Sequence, residues 1–276
     1  MKKTRSAAAP FGVWMTLFTL VPLGIVLWFA FTDKEGRFTV QNLSAILDYA
    51  GTFGLSIGLG AVATVVCLLL AYPLAYSISR SGERVQRTMV MIIMLPMWMN
   101  FLLRTYAWMT LLEDNGLINQ FFRLLGLLGQ EESLHMINTN GAVVLGMVYN
   151  FLPFMVLPLY SVMTKIDSRV IEAAQDLGSN GFQVLLRVIL PLSVPGILSG
   201  ITMVFVPAVS TFVITKLLGG SKVLLIGDAI ETMFIGQGAN YNVGAALSLV
   251  LMVLILLCMA MTSFADKDDE EGGLVL

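Results

Sequence analysis

The chain has 276 residues, of which 57% are hydrophobic and only 12% are charged, and its mean hydropathy is +0.83. A water-exposed globular surface needs about a quarter charged residues, so this composition excludes a soluble domain and indicates a polytopic membrane protein. The formal net charge of -2 excludes a basic surface for nucleic acid, because phosphate binding needs clustered Lys and Arg.

Few residues are available for metal or redox chemistry. Cys67 and Cys258 both lie in apolar stretches, so we predict that they are small hydrophobic residues rather than a disulfide pair. His135 is the only histidine, and a zinc or haem site would therefore need a set made almost entirely of carboxylates. We predict no metal site, and the absence of a P-loop spacing predicts that this chain does not itself bind ATP.

Six apolar stretches are long enough to cross roughly 30 Å of hydrocarbon as helices. The predicted spans cover residues 11–31, 53–78, 89–112, 141–163, 188–215 and 243–264. They predict an all-α polytopic membrane protein with a single transmembrane domain over residues 1–265. The acidic tail at 266–276 is expected to be a solvated, disordered end.

The distribution of Lys and Arg among the loops predicts the orientation of the chain. Most of these residues lie on the side of the N-terminus, at 2–5, 80–87 and 165–187, and fewer lie on the opposite side. Basic loops favour the cytoplasmic side of a membrane, and an even number of spans places both termini together. Both termini are therefore predicted to be cytoplasmic.

The cytoplasmic loop at 164–187 is predicted to contain a capped amphipathic helix. Apolar residues recur at helical spacing between Ile166 and Leu177. Asp167 is a suitable N-cap, Gly178 suits the residue that ends a helix, and Asn180 begins a second cap. The apolar stripe needs lipid headgroups or a partner to cover it, and the mixed charges on the polar face disfavour anionic lipid.

Glu172-Ala173-Ala174, Gly178 and the Leu190-Pro191 pair stand at the spacing of a known motif. This pattern resembles the EAA loop of permease subunits of binding-protein-dependent ABC importers; it departs only at Val188, where the family usually has isoleucine. The resemblance implies a type I ABC importer permease fold with a cytoplasmic coupling helix between spans 4 and 5, docked in a groove of an ATPase subunit. The ATPase-coupling residues that it implies are Asp167, Glu172, Ala173, Ala174, Gly178 and Pro191.

Three further segments, at 95–108, 152–160 and 218–227, are similar to the PotB-type permease family of spermidine/putrescine importers. This resemblance implies a bacterial inner-membrane subunit that forms half of a polyamine pathway. The implied partners are a PotC-like second permease, two ATPase subunits that bind ATP and Mg²⁺, and an extracytoplasmic polyamine-binding protein. The chain itself is then neither an enzyme nor a cofactor-binding protein.

Two alternatives to a polyamine importer remain open. Related permeases for other small solutes share parts of the same segments, so the substrate is less firmly indicated than the class. An ion-coupled secondary transporter is less favoured, because we find no acidic residue well inside a predicted span.

A polyamine path is expected to offer carboxylates and aromatic faces to the ammonium groups of the substrate. The candidates are Trp98, Asn100, Tyr106, Trp108, Glu113, Asp114, Asp228 and Glu231, with Phe234 as a further aromatic neighbour. Carboxylates at the ends of spans are often simply solvated, and this remains the alternative for all four acids.

Polar residues inside the spans need partners. An unpaired guanidinium within a span costs about 3 kcal/mol, so Arg104 needs water, Glu113 or a helix-end carbonyl beside it. A cation would repel a polyamine, and we predict a gating or structural role for Arg104. Asn100 and Asn150 are predicted to form hydrogen bonds between helices.

Overall fold

The structure is a computed structural model of the chain, and it describes residues 9–129, 132–236 and 238–272. This part of the chain is almost entirely helical; a single antiparallel bridge joins Thr32 and Phe38. Four helices are long and apolar enough to cross a membrane, and two bent pairs raise the number of candidate spans to six. The all-α polytopic architecture predicted from the sequence is thereby confirmed.

The helices follow one another with short connections. In chain order they are α1 (Pro10–Ala30), α2 (Gln41–Asp48), α3 (Ala50–Ser79), α4 (Glu83–Met94), α5 (Phe101–Leu112), α6 (Leu117–Leu124), α7 (Asn140–Met163), α8 (Ser168–Asp176), α9 (Gly181–Leu192), α10 (Val194–Ser210), α11 (Ile226–Ile235) and α12 (Tyr241–Gly272). A π-helical segment, Thr215–Gly219, connects α10 toward α11.

The third predicted span, 89–112, is not one straight helix. The segment Phe101–Leu124 is bent by 89° from the segment Glu83–Trp98. Met99 has an extended backbone, and the side chain of Asn100 then accepts a hydrogen bond from the Leu102 amide at 2.8 Å. The bend arises because a short 3-10 turn, Leu95–Trp98, ends the first segment and the Asn100 N-cap then starts a new helix.

The fifth predicted span, 188–215, also differs from the structure. Helix α9 begins earlier, at Gly181, and is bent by 68° from α10, which ends at Ser210. The bend falls at Ser193, whose hydroxyl donates to the Leu190 carbonyl at 3.0 Å and lies 3.0 Å from the Tyr72 hydroxyl. Pro195 in the first turn of α10 favours a new helix start at this point.

Helices α3, α7 and α10 form the centre of the bundle. Small side chains recur every four residues along α3, and they are fully buried: Ala63, Cys67, Ala71 and Ala75. Small residues let the helix backbones approach closely. Gly200 of α10 does the same, because a Cβ at this position would lie 2.5 Å from Met155 Sδ. Cys67 and Cys258 are free thiols, as predicted.

Helix α1 lies at the periphery of the bundle and packs mainly against α12. Ala30 is buried against Ala245 and Ala246. Asn242 of α12 fixes the end of α1 by donating hydrogen bonds to the carbonyls of Phe29 at 3.1 Å and Thr32 at 2.6 Å. Most of the remaining α1 surface is exposed in this single chain.

The tail differs from its prediction, because α12 stays helical past residue 264 to Gly272. Disorder was therefore the wrong expectation for the backbone of 266–272. Residues 273–276 and the basic residues at 2–5, which contributed to the predicted orientation, lie outside the described residues.

Candidate functional site

The loop between α7 and α10 contains a short helix, α8, with both ends fixed by local hydrogen bonds. Asp167 Oδ1 accepts a hydrogen bond from the Arg169 amide at 2.9 Å and so caps the first turn. At the other end, Gly178 has a φ of +87°, which favours glycine, and the Ser179 amide donates to the Ala174 carbonyl at 3.1 Å. The helix begins and ends where the sequence predicted.

A second cap follows directly and starts α9. The side chains and amides of Asn180 and Gln183 form a reciprocal pair, at 2.9 Å and 3.0 Å. This capping box satisfies two amides that would otherwise lack a partner. Helix α8 packs against α9, so the two caps give the loop a defined shape.

The apolar side chains of this loop remain largely uncovered. Leu177 is 88% exposed, Phe182 is 68% exposed and Val170 is 45% exposed. Glu172 and Ala173 are exposed beside them, and Ala174 is half-buried. A rigid helix that presents apolar side chains outward is suited to docking against another protein.

Pro191 does not belong to α8. It is exposed at the end of α9, next to the bend into α10. Of the six predicted coupling residues, the structure therefore places five at or beside α8 and one at a separate bend.

Arg80 ties the loop to the bundle. Its Nη1 donates to the Ile166 carbonyl and its Nη2 to the Met163 carbonyl, both at 3.2 Å. The guanidinium also lies 5.8 Å from the centre of the Tyr76 ring. The end of α3 is thus joined to the end of α7 and to the residue just before the Asp167 cap.

Gln86 completes this connection on the side of α4. Its Nε2 donates to the carbonyls of Ser79 at 3.2 Å and Ser81 at 2.7 Å, and its Oε1 accepts from the Tyr160 hydroxyl at 3.0 Å. We call Arg80, Gln86 and Tyr160 the brace. The brace could not be predicted from the sequence, because Arg80 and Gln86 belong to no motif that distinguishes them from ordinary loop residues.

A cavity of about 560 Å³ lies between α5, α7 and α10. We call it the central cavity; its lining residues are Met97, Phe101, Arg104, Asn150, Phe151, Phe154, Met203 and Pro207. Apart from Arg104 and Asn150, the lining is apolar. None of the eight predicted substrate-path residues lines this cavity.

Arg104 is only 8% exposed. Within the described part of the chain, its Nε and Nη1 have no hydrogen-bond acceptor. The guanidinium carbon lies 5.9 Å from the centre of the Phe101 ring, which gives a weak cation–π contact. Glu113 is not its partner, because nine residues of helix separate the two by about 13 Å.

The two asparagines do not connect helices, contrary to prediction. Asn100 caps its own helix, α5, and Asn150 Nδ2 donates to the Gly146 carbonyl of the same helix at 2.9 Å. Short polar side chains often bond to nearby backbone in this way instead of reaching a neighbouring helix. Asn150 Oδ1 is buried and has no donor among the described residues.

The four predicted carboxylates fall into two groups. Glu113 and Asp114 follow α5 and are exposed, and Asp114 Oδ1 lies 2.9 Å from His135 Nδ1. Asp228 and Glu231 lie on α11, where Glu231 pairs with Lys216.

Asp228 differs from the other three acids because it is 3% exposed. Its carboxylate accepts a hydrogen bond from the Leu225 amide at 3.1 Å, which caps α11. This helix lies outside the candidate spans. Burial raises the pKa of Asp228 from 3.8 to about 6, and the Leu225 amide opposes part of that rise.

The predicted aromatic residues are also dispersed. Trp98 at the bend is 75% exposed and Tyr106 is 47% exposed. Trp108 packs edge-on against Tyr149 of α7, with 5.3 Å between ring centres. The structure therefore does not gather the predicted aromatic and acidic residues into one site within this chain.

Comparison with known proteins defines the class. The sequence profile of the family described as binding-protein-dependent transport system inner membrane component matches residues 67–267. The chain belongs to this family. It is a multi-pass inner-membrane permease of an ABC importer, which excludes the ion-coupled secondary transporter considered above.

Two relatives are similar to this chain over most of its length. The chain is 37% identical to the spermidine/putrescine transport system permease protein PotB of Haemophilus influenzae, over 86% of this chain and 84% of the relative. It is 34% identical to the protein of the same name from Escherichia coli (strain K12), over 86% of this chain and 88% of the relative.

Solved structures show the same fold at lower identity. One is a bacterial ABC transporter involved in the import of the acidic polysaccharide alginate, with a TM-score of 0.73, 19% identity and 94% of each chain covered. Another is the alginate transporter in complex with an alginate pentasaccharide-bound periplasmic protein, with a TM-score of 0.74, 18% identity and coverage of 94% of this chain and 92% of that one. The type I importer permease fold is therefore confirmed.

Proposed function

We propose that this chain is one of two permease subunits of an ATP-driven importer for polyamines such as spermidine and putrescine. The observation that carries the substrate class is the 37% identity, over 86% of the chain, to a PotB permease. The complete transporter would contain a PotC-like second permease, two ATPase subunits and an extracytoplasmic polyamine-binding protein.

The capped helix α8 supports docking of an ATPase subunit. Its exposed apolar residues need a partner, and Glu172 beside them can accept charge-assisted hydrogen bonds from it. ATP and Mg²⁺ would be bound by that ATPase, so this chain needs no cofactor of its own. The loop and both termini would then face the cytoplasm.

The brace supports a route for the mechanical step. A displacement of α8 moves Ile166, and Arg80 holds the Ile166 and Met163 carbonyls together with the end of α3. Helices α3 and α7 pack closely against each other, so we expect them to move as one body when α8 is displaced. Closure of the ATPases would in this way rearrange the pathway.

Outer carboxylates would attract the substrate. Glu113 and Asp114 are exposed in the connection after α5, which the predicted topology would place on the side of the membrane opposite α8, where a binding protein would release a polyamine. Exposed acids at a pathway entrance raise the local concentration of cations. Trp98 and Tyr106 are exposed on the same chain and would offer aromatic faces to ammonium groups.

A second candidate is an importer of another small solute. The buried guanidinium of Arg104 favours this candidate, because an unneutralised cation in the central cavity would repel a polyamine. The two candidates share the same fold and the same ATPase docking, and they differ only in what is carried.

Uptake of radiolabelled spermidine by source cells with and without this chain tests the proposal. We expect uptake to disappear on deletion, to return with the wild-type chain, to require ATP and to be reduced by excess putrescine. Unchanged spermidine uptake in a strain without another polyamine importer would refute the polyamine assignment.

Two variants test the ATPase docking in the same assay. Glu172→Lys should abolish uptake and recovery of the ATPase with the complex. Glu83→Lys makes the same charge change at another exposed site on the predicted cytoplasmic side, and it should leave both near the wild-type level. Equal results for the two variants would contradict the role of α8.

A further inference from the structure

The central cavity contains polar groups that this chain leaves without partners. Arg104 Nε and Nη1 and Asn150 Oδ1 are all buried, and no described residue hydrogen-bonds to them. Both residues line the same space of about 560 Å³. Buried polar atoms in native proteins are nearly always paired, so this site is incomplete in the isolated chain.

Lipid cannot complete the site. Hydrocarbon offers no acceptor to a guanidinium. Arg104 also lies in the first turn of α5, where the helix dipole adds positive potential, and the cavity therefore favours an anion. Met203 lines the cavity and is 52% exposed, which shows that the cavity reaches the surface of the chain.

The missing anion does not come from the helices around the cavity. Helices α3, α5, α7 and α10 contain no Asp or Glu. On α11, Glu231 pairs with Lys216 and one oxygen of Asp228 caps its own helix; neither carboxylate is a hydrogen-bond partner of Arg104 Nε or Nη1. Among residues 9–129, 132–236 and 238–272, none therefore supplies a counter-charge to Arg104 Nε or Nη1.

The surface beside the cavity is suited to a protein partner. Met203 lines the cavity, and large apolar side chains that neighbour its lining residues in sequence are exposed in the single chain: Trp98, Met99, Leu102 and Leu103. Exposed apolar side chains close in sequence to a buried, unpaired charge are expected where another subunit supplies the opposite charge.

We infer that an acidic side chain of the second permease subunit enters the central cavity and pairs with Arg104. This inference rests on the proposed two-permease assembly, and it assigns a function to Arg104 that the single chain does not explain. Water fills the remaining space and donates to Asn150 Oδ1. Pairing neutralises the guanidinium, which removes the repulsion that an unpaired Arg104 would exert on a polyamine.

Recovery of the second permease with a tagged form of this chain tests the inference in the complete transporter. Arg104→Met should reduce the recovered second permease about tenfold, because it leaves the partner carboxylate buried without a cation. Arg104→Lys should retain most of it. Arg37→Met, an exposed arginine paired with Glu35, serves as the matched control and should recover the wild-type amount. Unchanged recovery with Arg104→Met would overturn the inference.

A suppressor selection keeps the inference testable if Arg104→Met fails to fold. Cells that carry Arg104→Glu should regain uptake through replacement of an Asp or Glu by Lys or Arg in the second permease. Suppressors confined to this chain would overturn the inference. So would wild-type recovery that persists in chloride and is lost in gluconate, because a small anion would then fill the site.

The assembly assay requires no substrate, so its outcome is independent of the polyamine assignment. Loss of recovery with Arg104→Met, together with no spermidine uptake by the wild-type transporter, would refute polyamine import and still support the inter-subunit pair. Spermidine uptake by the wild-type transporter, together with undiminished recovery of the second permease with Arg104→Met, would support polyamine import and refute the inter-subunit pair.

Discussion

The loop at 164–187 and the central cavity differ in how their polar groups are paired. In the loop, Asp167, Asn180 and Gln183 form local caps, and Arg80 binds two backbone carbonyls. In the cavity, Arg104 and Asn150 leave buried atoms without partners among the described residues. The loop leaves large apolar side chains such as Leu177 exposed, whereas the cavity leaves a buried guanidinium unpaired.

This difference indicates two kinds of partner. A loop that completes its own hydrogen bonds is rigid before it docks, so its partner needs to supply only a complementary groove. A cavity with an unpaired guanidinium needs a negative charge from its partner. Its hydrogen bonds are therefore completed only when the subunits assemble. The ATPase would therefore bind a preformed element, and the second permease would complete an unfinished one.

The largest expected effect is from the substitution that breaks the rigidity of the loop. Gly178→Val places a β-branched residue at φ +87°, which costs about 1–2 kcal/mol in backbone strain alone and distorts the end of α8. We expect uptake to fall at least about tenfold, because docking needs defined geometry to within about 1 Å. The effect of Gly178→Val is measured by ATP-dependent uptake and by recovery of the ATPase with the complex.

Gly238→Val provides the control for strain. Gly238 has a φ of +85°, and a Cβ there also meets open space, but it lies far along the chain from the loop at 164–187. Its uptake should stay close to that of the wild type. An equal loss in both variants would show that the effect is general destabilisation.

A smaller effect is expected from cutting the connection between loop and bundle. Arg80→Ala removes the hydrogen bonds to the Met163 and Ile166 carbonyls, and we expect uptake to fall about fivefold, which corresponds to roughly 1 kcal/mol of coupling. Recovery of the ATPase should be unchanged because α8 itself remains capped.

Arg84→Ala is the matched control for the brace, since it removes the same charge from an exposed position four residues away. It should leave uptake and ATP hydrolysis unaffected. Loss of ATPase recovery with Arg80→Ala would indicate that the brace supports docking rather than transmission.

The pH dependence of stability extends the comparison to a third buried polar group, Asp228. Its raised pKa means that the folded state favours the neutral acid. The associated stabilisation is present below pH 3.8 and is lost as the pH rises through about 6. Asp228→Asn should therefore raise the free energy of unfolding at pH 7.5 by up to about 3 kcal/mol, which is measured as a higher melting temperature.

The gain from Asp228→Asn should shrink as the pH is lowered toward 4, because the wild-type acid becomes neutral there. A pH-independent difference for Asp228→Asn would contradict the assignment of burial as the cause.

The smallest effect is expected from removal of the hydrogen bond between Tyr160 and Gln86 in the brace. Tyr160→Phe removes the hydrogen bond to Gln86 Oε1 while keeping the ring, and it should cost about 1 kcal/mol. A shift of a few degrees in melting temperature, with uptake above half of the wild-type rate, is the expected result. An uptake loss as large as that of Arg80→Ala would show that the Tyr160–Gln86 bond and the Arg80 bonds act as one unit.

The sequence predicted those features that depend on neighbouring residues. The Asp167 cap, the Gly178 end and the straight spans follow from local rules, and the structure has them. The break at Asn100 was not predicted, because the apolar stretch continues across it. Hydropathy gives the length of a span but not the direction of its helix axis. The brace was missed because its bonds join residues that lie far apart in the chain, such as Arg80 and Ile166.

The partner of Arg104 could not be read from the sequence for a different reason. The need for a counter-charge was evident from the position of an arginine inside a span. The prediction of Glu113 failed because the helix holds both residues at fixed positions, and no other residue of the chain replaces it among those described. That this chain offers Arg104 no counter-charge among its described residues is seen only from the atomic contacts around the guanidinium.

Spermidine-dependent ATP hydrolysis by the complete transporter in proteoliposomes tests the central claim most directly. The account predicts that spermidine-loaded binding protein raises hydrolysis and drives spermidine into the vesicles in proportion to it, and that Glu172→Lys abolishes both. Spermidine entry without ATP hydrolysis, or hydrolysis and uptake that survive Glu172→Lys, would contradict it.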